Sequence, residues 1–254
     1  MICCNGQPPA ASLLHQAAGW ADYIIAADGG ANVLLSHAVV PDAITGDMDS
    51  YSRDAFERFL KLRKQEKSPF PPEKTPELIP NPDQESNDLE KALELARKRQ
   101  ESHHPAPKAA VVICGATGYR LDHSLKNLSV MQQFLPHFSS LFMIDDYLCT
   151  FLHPPRKTLR FHLPEATPVS LFPLSGRVEG LTTRGLKYEL DDDFLENGRR
   201  DGSSNEIAAG GEISGGFEEK APDIPEKTLE LRYQRGQLAI MISPLNGMKW
   251  PLLS

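Results

Sequence analysis

The stretch AAVVICGATGYRLDHSLKNLSVMQQF, residues 109–134, decides the fold of the first half of the chain. Its apolar run at 109–114 predicts a buried strand, and the residues after 120 place apolar side chains at helical spacing. Two glycines lie in the loop between them. A strand that passes through such a loop into a helix is the unit from which parallel α/β layers are built.

The same alternation continues on the N-terminal side of this stretch. Short apolar runs that end in polar or glycine-rich turns predict strands, and runs with a period near 3.6 predict helices. The first half is therefore predicted to be a parallel α/β domain. The predicted strands are 1–4, 23–27 and 43–45, and the predicted helices are 12–21, 52–64 and 88–100.

A proline-rich stretch, residues 68–82, interrupts this alternation with six prolines. Proline lacks a backbone N–H and breaks both helices and central strands. We expect an extended, solvent-facing connection here, and a second polar linker at 102–108.

The pattern changes after about residue 147. Short apolar runs, closely spaced between Pro, Gly and Asp, predict antiparallel β structure, either a sandwich or a partial barrel. Residues 197–227, rich in Gly, Glu and Ser, are expected to form a long mobile loop. The boundary between the halves is expected near 147–155, which gives domains 1–150 and 151–254.

Composition narrows the classes of function. The chain has 254 residues and a formal net charge of −7, and a nucleic-acid surface normally shows a basic excess instead. It has no basic-then-apolar leader and no apolar run long enough to span a bilayer. Its cysteines form no C-x-x-C pair and are expected to be reduced, which indicates a cytoplasmic protein. They are Cys3, Cys4, Cys114 and Cys149. The acidic charge and the lack of a long apolar run predict that the protein has no nucleic-acid or membrane partner.

Polar clusters follow several apolar runs of the first half. In open α/β sheets, ligands bind beyond the carboxyl ends of the strands, so these clusters should converge on one crevice. Their glycines would let backbone N–H groups approach a phosphate. The clusters are Asp28–Gly30, Gly46–Asp49, Glu85–Asp88 and Gly115–His123.

Asp47 and Asp49 are separated by one residue. On an extended backbone both carboxylates would lie on one face, about 6.5 Å apart along the chain. That arrangement suits Mg²⁺, which takes one or two carboxylates and completes its shell with waters and substrate phosphates. The alternative is a solvated Asp-rich turn that caps the helix starting near residue 50 or 52.

Asp88 stands at the start of a predicted helix, with Lys91 three residues later on the same face. Asn87 and Glu90 fit a capping box, and Asp88 in the first turn would complement the helix dipole. Alternatively, Asp88 is a metal ligand and Lys91 binds phosphate. Spacing alone favours the cap.

Asp122 and Asn127 show the spacing of a protein-kinase catalytic loop. The remaining kinase motifs are absent from the sequence, and so is a Walker A motif, which excludes both of these classes. His123 is either a general base or a structural histidine, and the structural role is the default. In the second half, Ser203, Ser204 and Asn205 form either a turn or a set of polar groups facing a heteroaromatic ligand.

Read in order, these stretches resemble the thiamine pyrophosphokinase family, and the match spans most of the chain. No single fragment is decisive, but the ordered set is specific. The matching stretches are NGQPP (5–9), ADGGAN (27–32), PDAITGDMDS (41–50), PDQESNDLEKAL (82–93), GATGYRLDH (115–123), TTRGLKYEL (182–190) and SSNE (203–206).

The resemblance implies an N-terminal Rossmann-like α/β domain that binds Mg-ATP, and a C-terminal antiparallel β-sandwich that binds thiamine. It implies transfer of the pyrophosphoryl group of ATP to the hydroxyethyl alcohol of thiamine, which gives thiamine diphosphate and AMP. It also implies a homodimer whose active sites lie between the subunits.

The resemblance also implies roles for individual residues. Asp47, Asp49 and Asp88 would bind Mg²⁺. Lys91, Arg120 and Asp122 would line the ATP site, with Asp28 and Asn32 nearby. The thiamine side would be formed by Gln84, Tyr188, Ser203 and Asn205.

Three positions depart from the family pattern. Asn87 replaces a Thr before the metal-binding Asp, Tyr119 replaces a Gly before Arg120, and Tyr188 replaces a Trp. If that Trp stacks on thiamine, Tyr188 would keep an aromatic face with less area. Two alternatives therefore stay open: a pyrophosphokinase for another heteroaromatic alcohol, such as a hydroxymethylpterin, and a non-catalytic Mg-nucleotide-binding module.

Overall fold

A computed structural model describes residues 1–65, 67–68, 70–71, 74–102, 107–209 and 226–243. The chain divides into two compact units, Met1–Asp146 and Tyr147–Ser254.

The first unit is a parallel sheet with helices between its strands. The strands follow the order β6-β5-β1-β2-β3-β4, and each neighbouring pair is parallel. The α/β prediction for this half is confirmed. The strands are β1 (Ile2–Cys3), β2 (Ile25–Ala27), β3 (Ala43–Gly46), β4 (Glu77–Pro80), β5 (Ala110–Cys114) and β6 (Ser140–Ile144). The helices are α1 (Ala11–Gly19), α2 (Gly30–Ser36), α3 (Arg53–Leu62), α4 (Asp88–Glu101) and α5 (Leu121–Phe134), with a 3-10 turn at Leu135–His137.

The strand order places a crevice over the middle of this sheet. Successive strands run outward from β1 to β4, whereas β5 and β6 lie on the other side of β1. Loops diverge where the order reverses, and ligands of open α/β sheets bind there, beyond the carboxyl ends of the strands. Helix α4 packs against β1, β2 and β3, so its N-terminus lies close to those strand ends.

Helix α2 and strand β6 were not predicted. Helix α2 has only seven residues, so it is too short to show a helical period, and only two residues separate its start from the end of β2. Strand β6 follows the 3-10 turn with five residues, and four of them are buried. A short apolar run next to a helix cannot be assigned by periodicity.

The prediction of an extended, solvent-facing connection at 68–82 is correct in part: the stretch contains an extended, mostly exposed strand, but Phe70 is buried. Residues Glu77–Pro80 form the edge strand β4, which pairs with β3. An edge strand tolerates proline because one side of its backbone needs no partner. Phe70 is buried against Phe59, with the two rings edge-to-face at 4.9 Å, in a cluster that includes Leu35 and Val40. The prolines break regular structure, but this stretch is anchored on the core.

We expect Phe70→Leu to lower the free energy of unfolding by about 1 kcal/mol, because it removes an edge-to-face aromatic contact while keeping an apolar side chain. Urea unfolding measures this change. The control is Leu78→Ala on the same stretch, since Leu78 is 47% exposed and buries little area. Equal effects of the two substitutions would show that Phe70 does not anchor the stretch.

The second unit contains two antiparallel sheets. One has the order β12-β9-β14-β7 and the other has the order β11-β10-β13-β8. The rings of Phe151 and Phe161 meet edge-to-face at 5.0 Å, one from each sheet. This is a β-sandwich, as one of the two predicted alternatives. Its strands are β7 (Cys149–Leu152), β8 (Leu159–Pro164), β9 (Pro168–Pro173), β10 (Arg177–Arg184), β11 (Asp193–Glu196), β12 (Gly202–Glu206), β13 (Glu226–Arg232) and β14 (Leu238–Ile242).

The predicted mobile loop at 197–227 is wrong at both ends. Strand β12 occupies Gly202–Glu206, and strand β13 begins at Glu226. Residues 210–225, which include most of the loop, lie outside the described residues. Strand β12 escapes prediction because its sequence, GSSNE, is typical of a turn.

Two further findings concern the whole set of described residues. The four cysteines are buried, and none of them forms a disulfide with another described residue. The longest described helices, α4 and α5, have 14 residues each, and none of the described helices has the length and apolarity to cross a bilayer.

Candidate active site

Three carboxylates meet in the crevice of the first unit. Asp28 follows β2, Asp47 follows β3, and Asp88 is the first residue of α4. One oxygen of each lies within 4.8 Å of an oxygen of the others. We call this group the carboxylate cluster. Three like charges at such distances repel each other unless a cation lies among them.

Asp28 is the most constrained member of the carboxylate cluster. It is 1% exposed, and its backbone has a φ of 44°, which a non-glycine residue rarely adopts. Its Oδ2 accepts a hydrogen bond from the N–H of Ser50 at 3.0 Å, whereas its Oδ1 is buried without a hydrogen-bond partner. A buried carboxylate oxygen without a partner is costly unless a ligand supplies the missing contact.

The pKa values of the cluster reflect this crowding. Burial raises the pKa of Asp28. Burial also raises the pKa of Asp88, and repulsion from Asp28 adds to the rise. In contrast, a hydrogen bond from the N–H of Asp49 lowers the pKa of Asp47. The cluster therefore combines one carboxylate whose pKa is lowered with two whose pKa values are raised.

Lys91 supplies a positive charge to the cluster. Its side chain is 2% exposed, and its Nζ lies 3.7 Å from Asp88 Oδ1 and 3.9 Å from Asp47 Oδ2. One turn of α4 separates Lys91 from Asp88, as the spacing predicted. Asn87 caps the same helix by accepting a hydrogen bond from the N–H of Glu90 at 2.9 Å. The cap is thus made by Asn87, which leaves the Asp88 carboxylate available for the cluster.

Glycine is required at Gly46, where β3 ends beside Asp28. Its φ is 151°, and a Cβ at this position would lie 2.7 Å from the Cβ of Asp28. A side chain at residue 46 would therefore push Asp28 out of the cluster.

The extended geometry predicted for Asp47 and Asp49 is wrong. Met48, between them, has a φ of 66°, and the N–H of Asp49 donates to Asp47 Oδ1 at 3.3 Å. Aspartate often folds a loop in this way, through its own side chain. Asp49 Oδ1 accepts from the hydroxyl of Ser50 at 2.9 Å, and Asp49 is not a member of the carboxylate cluster. The geometry groups Asp28 with Asp47 and Asp88, and the side chain of Asp49 lies beside this group and adds to the rise in the pKa of Asp28.

Two predicted ligand-binding residues, Asn32 and Gln84, lie near the carboxylate cluster. Asn32 donates to the carbonyl of Ser50 at 2.9 Å and accepts from the N–H of Ser52 at 3.1 Å, so it holds the loop after the cluster. Gln84 was predicted on the thiamine side, and its Nε2 lies 3.3 Å from Asp47 Oδ2.

Arg120 and Asp122, both predicted at the ATP site, form an exposed ion pair with each other. Tyr119 precedes them with a φ of 47° and is 79% exposed. The left-handed backbone explains why glycine suits this position. His123 is exposed in the first turn of α5.

A separate pocket of about 220 Å³ lies within the second unit. It brings Tyr188, Ser203 and Asn205 together, three residues predicted to contact thiamine. Its lining includes three leucines, which are apolar, and two charged residues adjacent in sequence, Arg200 and Asp201. The remaining lining residues are Leu171, Leu190, Leu195, Arg200, Asp201 and Gly202.

Asn205 is committed to positioning Tyr188. Its Nδ2 donates to the carbonyl of Tyr188 at 2.8 Å, and its Oδ1 accepts from the N–H of Tyr188 at 3.1 Å. The same Oδ1 accepts from the N–H of Glu206. Asn205 is buried and its amide binds the backbone of Tyr188, whereas Tyr188 itself is 63% exposed.

The sequence alone did not reveal the importance of two residues in these sites, Asp28 and Asp201. Asp28 was placed only near the ATP site, although its position at the end of a buried strand matched that of Asp47. Asp201 was not considered, because it lies in a stretch that looked like a loop. A carboxylate directly before a short polar strand was the available signal.

Comparison with known proteins gives the family context. Residues 14–143 match the family model described as thiamin pyrophosphokinase, catalytic domain. Residues 156–214 match the model described as thiamin pyrophosphokinase, vitamin B1 binding domain. The first match contains the carboxylate cluster, and the second contains the pocket of the second unit.

Relatives and solved structures agree with these matches. The chain is 26% identical to thiamine pyrophosphokinase 2 of Arabidopsis thaliana, with 71% of this chain and 69% of the relative covered. It is 26% identical to thiamin pyrophosphokinase 1 of Caenorhabditis elegans, with 81% and 80% covered. The fold is similar to thiamin pyrophosphokinase from Candida albicans, with a TM-score of 0.73, 17% identity and 95% and 87% of the two chains covered. It is also similar to the Bacillus subtilis enzyme, with a TM-score of 0.71, 21% identity and 95% and 97% covered.

Proposed function

Since this chain belongs to the thiamin pyrophosphokinase family, we propose that Asp28, Asp47 and Asp88 hold the divalent cation of a pyrophosphoryl transfer from ATP to thiamine. The enzyme is a thiamine diphosphokinase, and its products are thiamine diphosphate and AMP. The observation that supports the metal assignment is the buried Oδ1 of Asp28, which lacks a protein partner inside a group of three carboxylates.

The donor set fits Mg²⁺. This ion prefers carboxylate oxygens, binds few of them, and keeps positions for water and phosphate oxygens. A bound cation would neutralise the carboxylates and stabilise negative charge on the transferring phosphoryl group.

The chain's own residues supply positioning and charge. Lys91 lies against Asp47 and Asp88 and would face the phosphates bound there. We assign Arg120 and Asp122 to the nucleotide, with their ion pair exposed to incoming ATP. Asn32 holds the loop that follows the cluster. Pyrophosphoryl transfer depends mainly on such alignment and on charge neutralisation, which these residues provide.

The rings of thiamine would occupy the pocket of the second unit. Tyr188 offers an exposed aromatic face, and the leucines offer apolar contact. Under this proposal residues 1–150 bind Mg-ATP in a Rossmann-like domain, and residues 151–254 bind thiamine. The strand order of the first unit, which reverses beside β1, supports the Rossmann-like description.

We also propose a cytoplasmic homodimer with active sites between the subunits. Four buried cysteines without a disulfide suit a reducing compartment. Mixing two inactive variants, Asp47→Asn and Tyr188→Ala, tests the shared site. Partial recovery of activity on mixing is expected, and a mixture as inactive as its parts would overturn shared sites.

The reaction is tested by AMP release from Mg-ATP with and without thiamine. We expect thiamine-dependent AMP and an equal amount of thiamine diphosphate. ADP as the product would contradict pyrophosphoryl transfer. AMP formed with a hydroxymethylpterin but not with thiamine would show that the reaction is as proposed but that the substrate is a pterin.

Asp28→Asn and Asp49→Asn distinguish the two candidates for the third metal ligand. We expect Asp28→Asn to raise the Mg²⁺ concentration needed for half-maximal activity about 10- to 100-fold, the size typical for residues that support a metal site. It should also raise the melting temperature of the metal-free protein, because the raised pKa of Asp28 makes its ionised form a cost at neutral pH. An amide can instead donate to the neighbouring carboxylates.

Asp49→Asn should raise the metal-free melting temperature less than Asp28→Asn does, because Asp49 lies outside the carboxylate cluster but its charge still repels Asp28. Activity titrations with Mg²⁺ and thermal melts in EDTA measure both quantities. A larger loss of Mg²⁺ affinity in Asp49→Asn than in Asp28→Asn would return the third ligand to Asp49.

A further inference from the structure

The pocket of the second unit contains one carboxylate that the fold leaves available for a ligand. Its polar side chains include Ser203 and Asn205, and the protein already uses both. The amide of Asn205 is bound to Tyr188, and the hydroxyl of Ser203 donates to Asp201 Oδ1 at 2.6 Å. The backbone N–H of Ser203 also donates to Asp201 Oδ1, at 3.0 Å. Asp201 Oδ2 accepts no hydrogen bond from the described residues.

Asp201 is ionised, and the described residues offer it no cationic partner. The two hydrogen bonds from Ser203 lower the pKa of Asp201, so its carboxylate is charged at neutral pH. Its neighbour Arg200 is engaged elsewhere, since its Nη1 lies 2.7 Å from Asp193. Lys187, beside Tyr188, is paired with Glu206 at 2.7 Å. Among the described residues, none forms an ion pair with Asp201.

The backbone directs Asp201 to the pocket. Gly202 follows it, and a Cβ there would lie 2.9 Å from the Cβ of Leu171, so strand β12 approaches β9 too closely for a side chain. The register between these strands shifts between Gly202 and Asn205, and Ser204 has a φ of 64°. Such an irregularity re-aims the side chains on either side of it.

We propose that Asp201 is a specificity-determining residue, which selects a positively charged heteroaromatic alcohol over a neutral one. This inference rests on the proposed function, because it assigns the heteroaromatic substrate to this pocket. The thiazolium ring of thiamine carries a permanent positive charge, whereas a pterin is neutral. A cationic ring would meet the Asp201 carboxylate and the exposed face of Tyr188 together.

Binding of two probes tests this selection. Thiamine is the cationic probe, and thiochrome, which keeps the hydroxyethyl group on a neutral fused ring system, is the neutral probe. Asp201→Asn removes the charge while its Oδ1 can still accept from Ser203. We expect the Kd of thiamine to rise about fivefold, the effect of one partly exposed charge contact, and the Kd of thiochrome to change less than twofold.

Two further variants complete the experiment. Asp192→Asn removes the same charge from a residue that does not line the pocket, and we expect it to leave both Kd values unchanged. Asp201→Glu keeps the charge and should retain most of the preference for thiamine. An equal change for both probes in Asp201→Asn, or no change for thiamine, would overturn the proposal.

Turnover separates this inference from the proposed function. Wild-type protein that forms thiamine diphosphate, together with an Asp201→Asn variant of unchanged thiamine Kd, would reject the role of Asp201 and leave the function standing. Wild-type protein that binds thiamine through Asp201 but releases no AMP would reject the function and support the inference.

Discussion

Asp88→Asn is expected to lower kcat about 1,000-fold and to leave the fold intact. The substitution removes a charge from the carboxylate cluster, and a correctly held metal ion contributes several kcal/mol to transition states of this kind. Helix α4 should persist because its cap is the side chain of Asn87. Burial and repulsion from Asp28 raise the pKa of Asp88, so a neutral residue relieves the metal-free protein of an unfavourable charge.

Steady-state kinetics at saturating Mg-ATP and thermal melts in EDTA measure both effects. Glu90→Gln is the matched control, since it removes the same charge from the first turn of α4, where Glu90 pairs with Lys126 and does not join the cluster. We expect its kcat to stay within about twofold of wild type. A loss below tenfold in Asp88→Asn would remove Asp88 from the metal site.

Lys91→Met is expected to lower kcat about 100-fold, the usual effect of removing one charged donor from a transferring group. Methionine fills the buried volume of the lysine stem but removes the positive charge that Lys91 supplies to the carboxylates. Because Asp88 is 41% exposed, solvent screens part of the resulting repulsion. We therefore expect the metal-free protein to lose about 1–2 kcal/mol of stability, less than the loss from a fully buried pair.

The dependence of this loss on Mg²⁺ tests its cause. A cation that binds the folded state stabilises it, and it should recover more stability in Lys91→Met than in wild type. Lys98→Met on the same helix is the control, since the Lys98 side chain is 66% exposed. A loss of stability in Lys91→Met that Mg²⁺ leaves unchanged would point to a packing defect.

The sequence predicted the parallel α/β half and the antiparallel half because their periodicities are local properties. It could not predict which aspartate completes the carboxylate cluster. Spacing along the chain favoured Asp49. The left-handed conformation of Met48 breaks the extended geometry on which that spacing relied, and the parallel pairing of β2 with β3 brings Asp28 alongside Asp47. Strand pairing is a tertiary property, and no short window of sequence contains it.

The proline-rich stretch and strand β12 illustrate the same limit. Pro76 precedes the edge strand β4 and Pro80 is its last residue, positions where proline is tolerated. Phe70 packs against Phe59 of helix α3, which precedes it in the chain. The sequence of β12 is that of a turn, and only its pairing with β9 makes it a strand. The proposed role of Asp201 depends on that pairing, so the sequence alone could not predict it.

The two hydrogen bonds between Asn205 and the backbone of Tyr188 fix the position of residue 188 without depending on which side chain it carries. Both bonds end on main-chain atoms, so they survive any substitution of the side chain at 188 that keeps an ordinary backbone. Evolution can therefore exchange one aromatic ring for another here without rebuilding the pocket. Protein engineering could likewise substitute the side chain at residue 188, on an unchanged backbone, to shift the enzyme toward thiamine analogues.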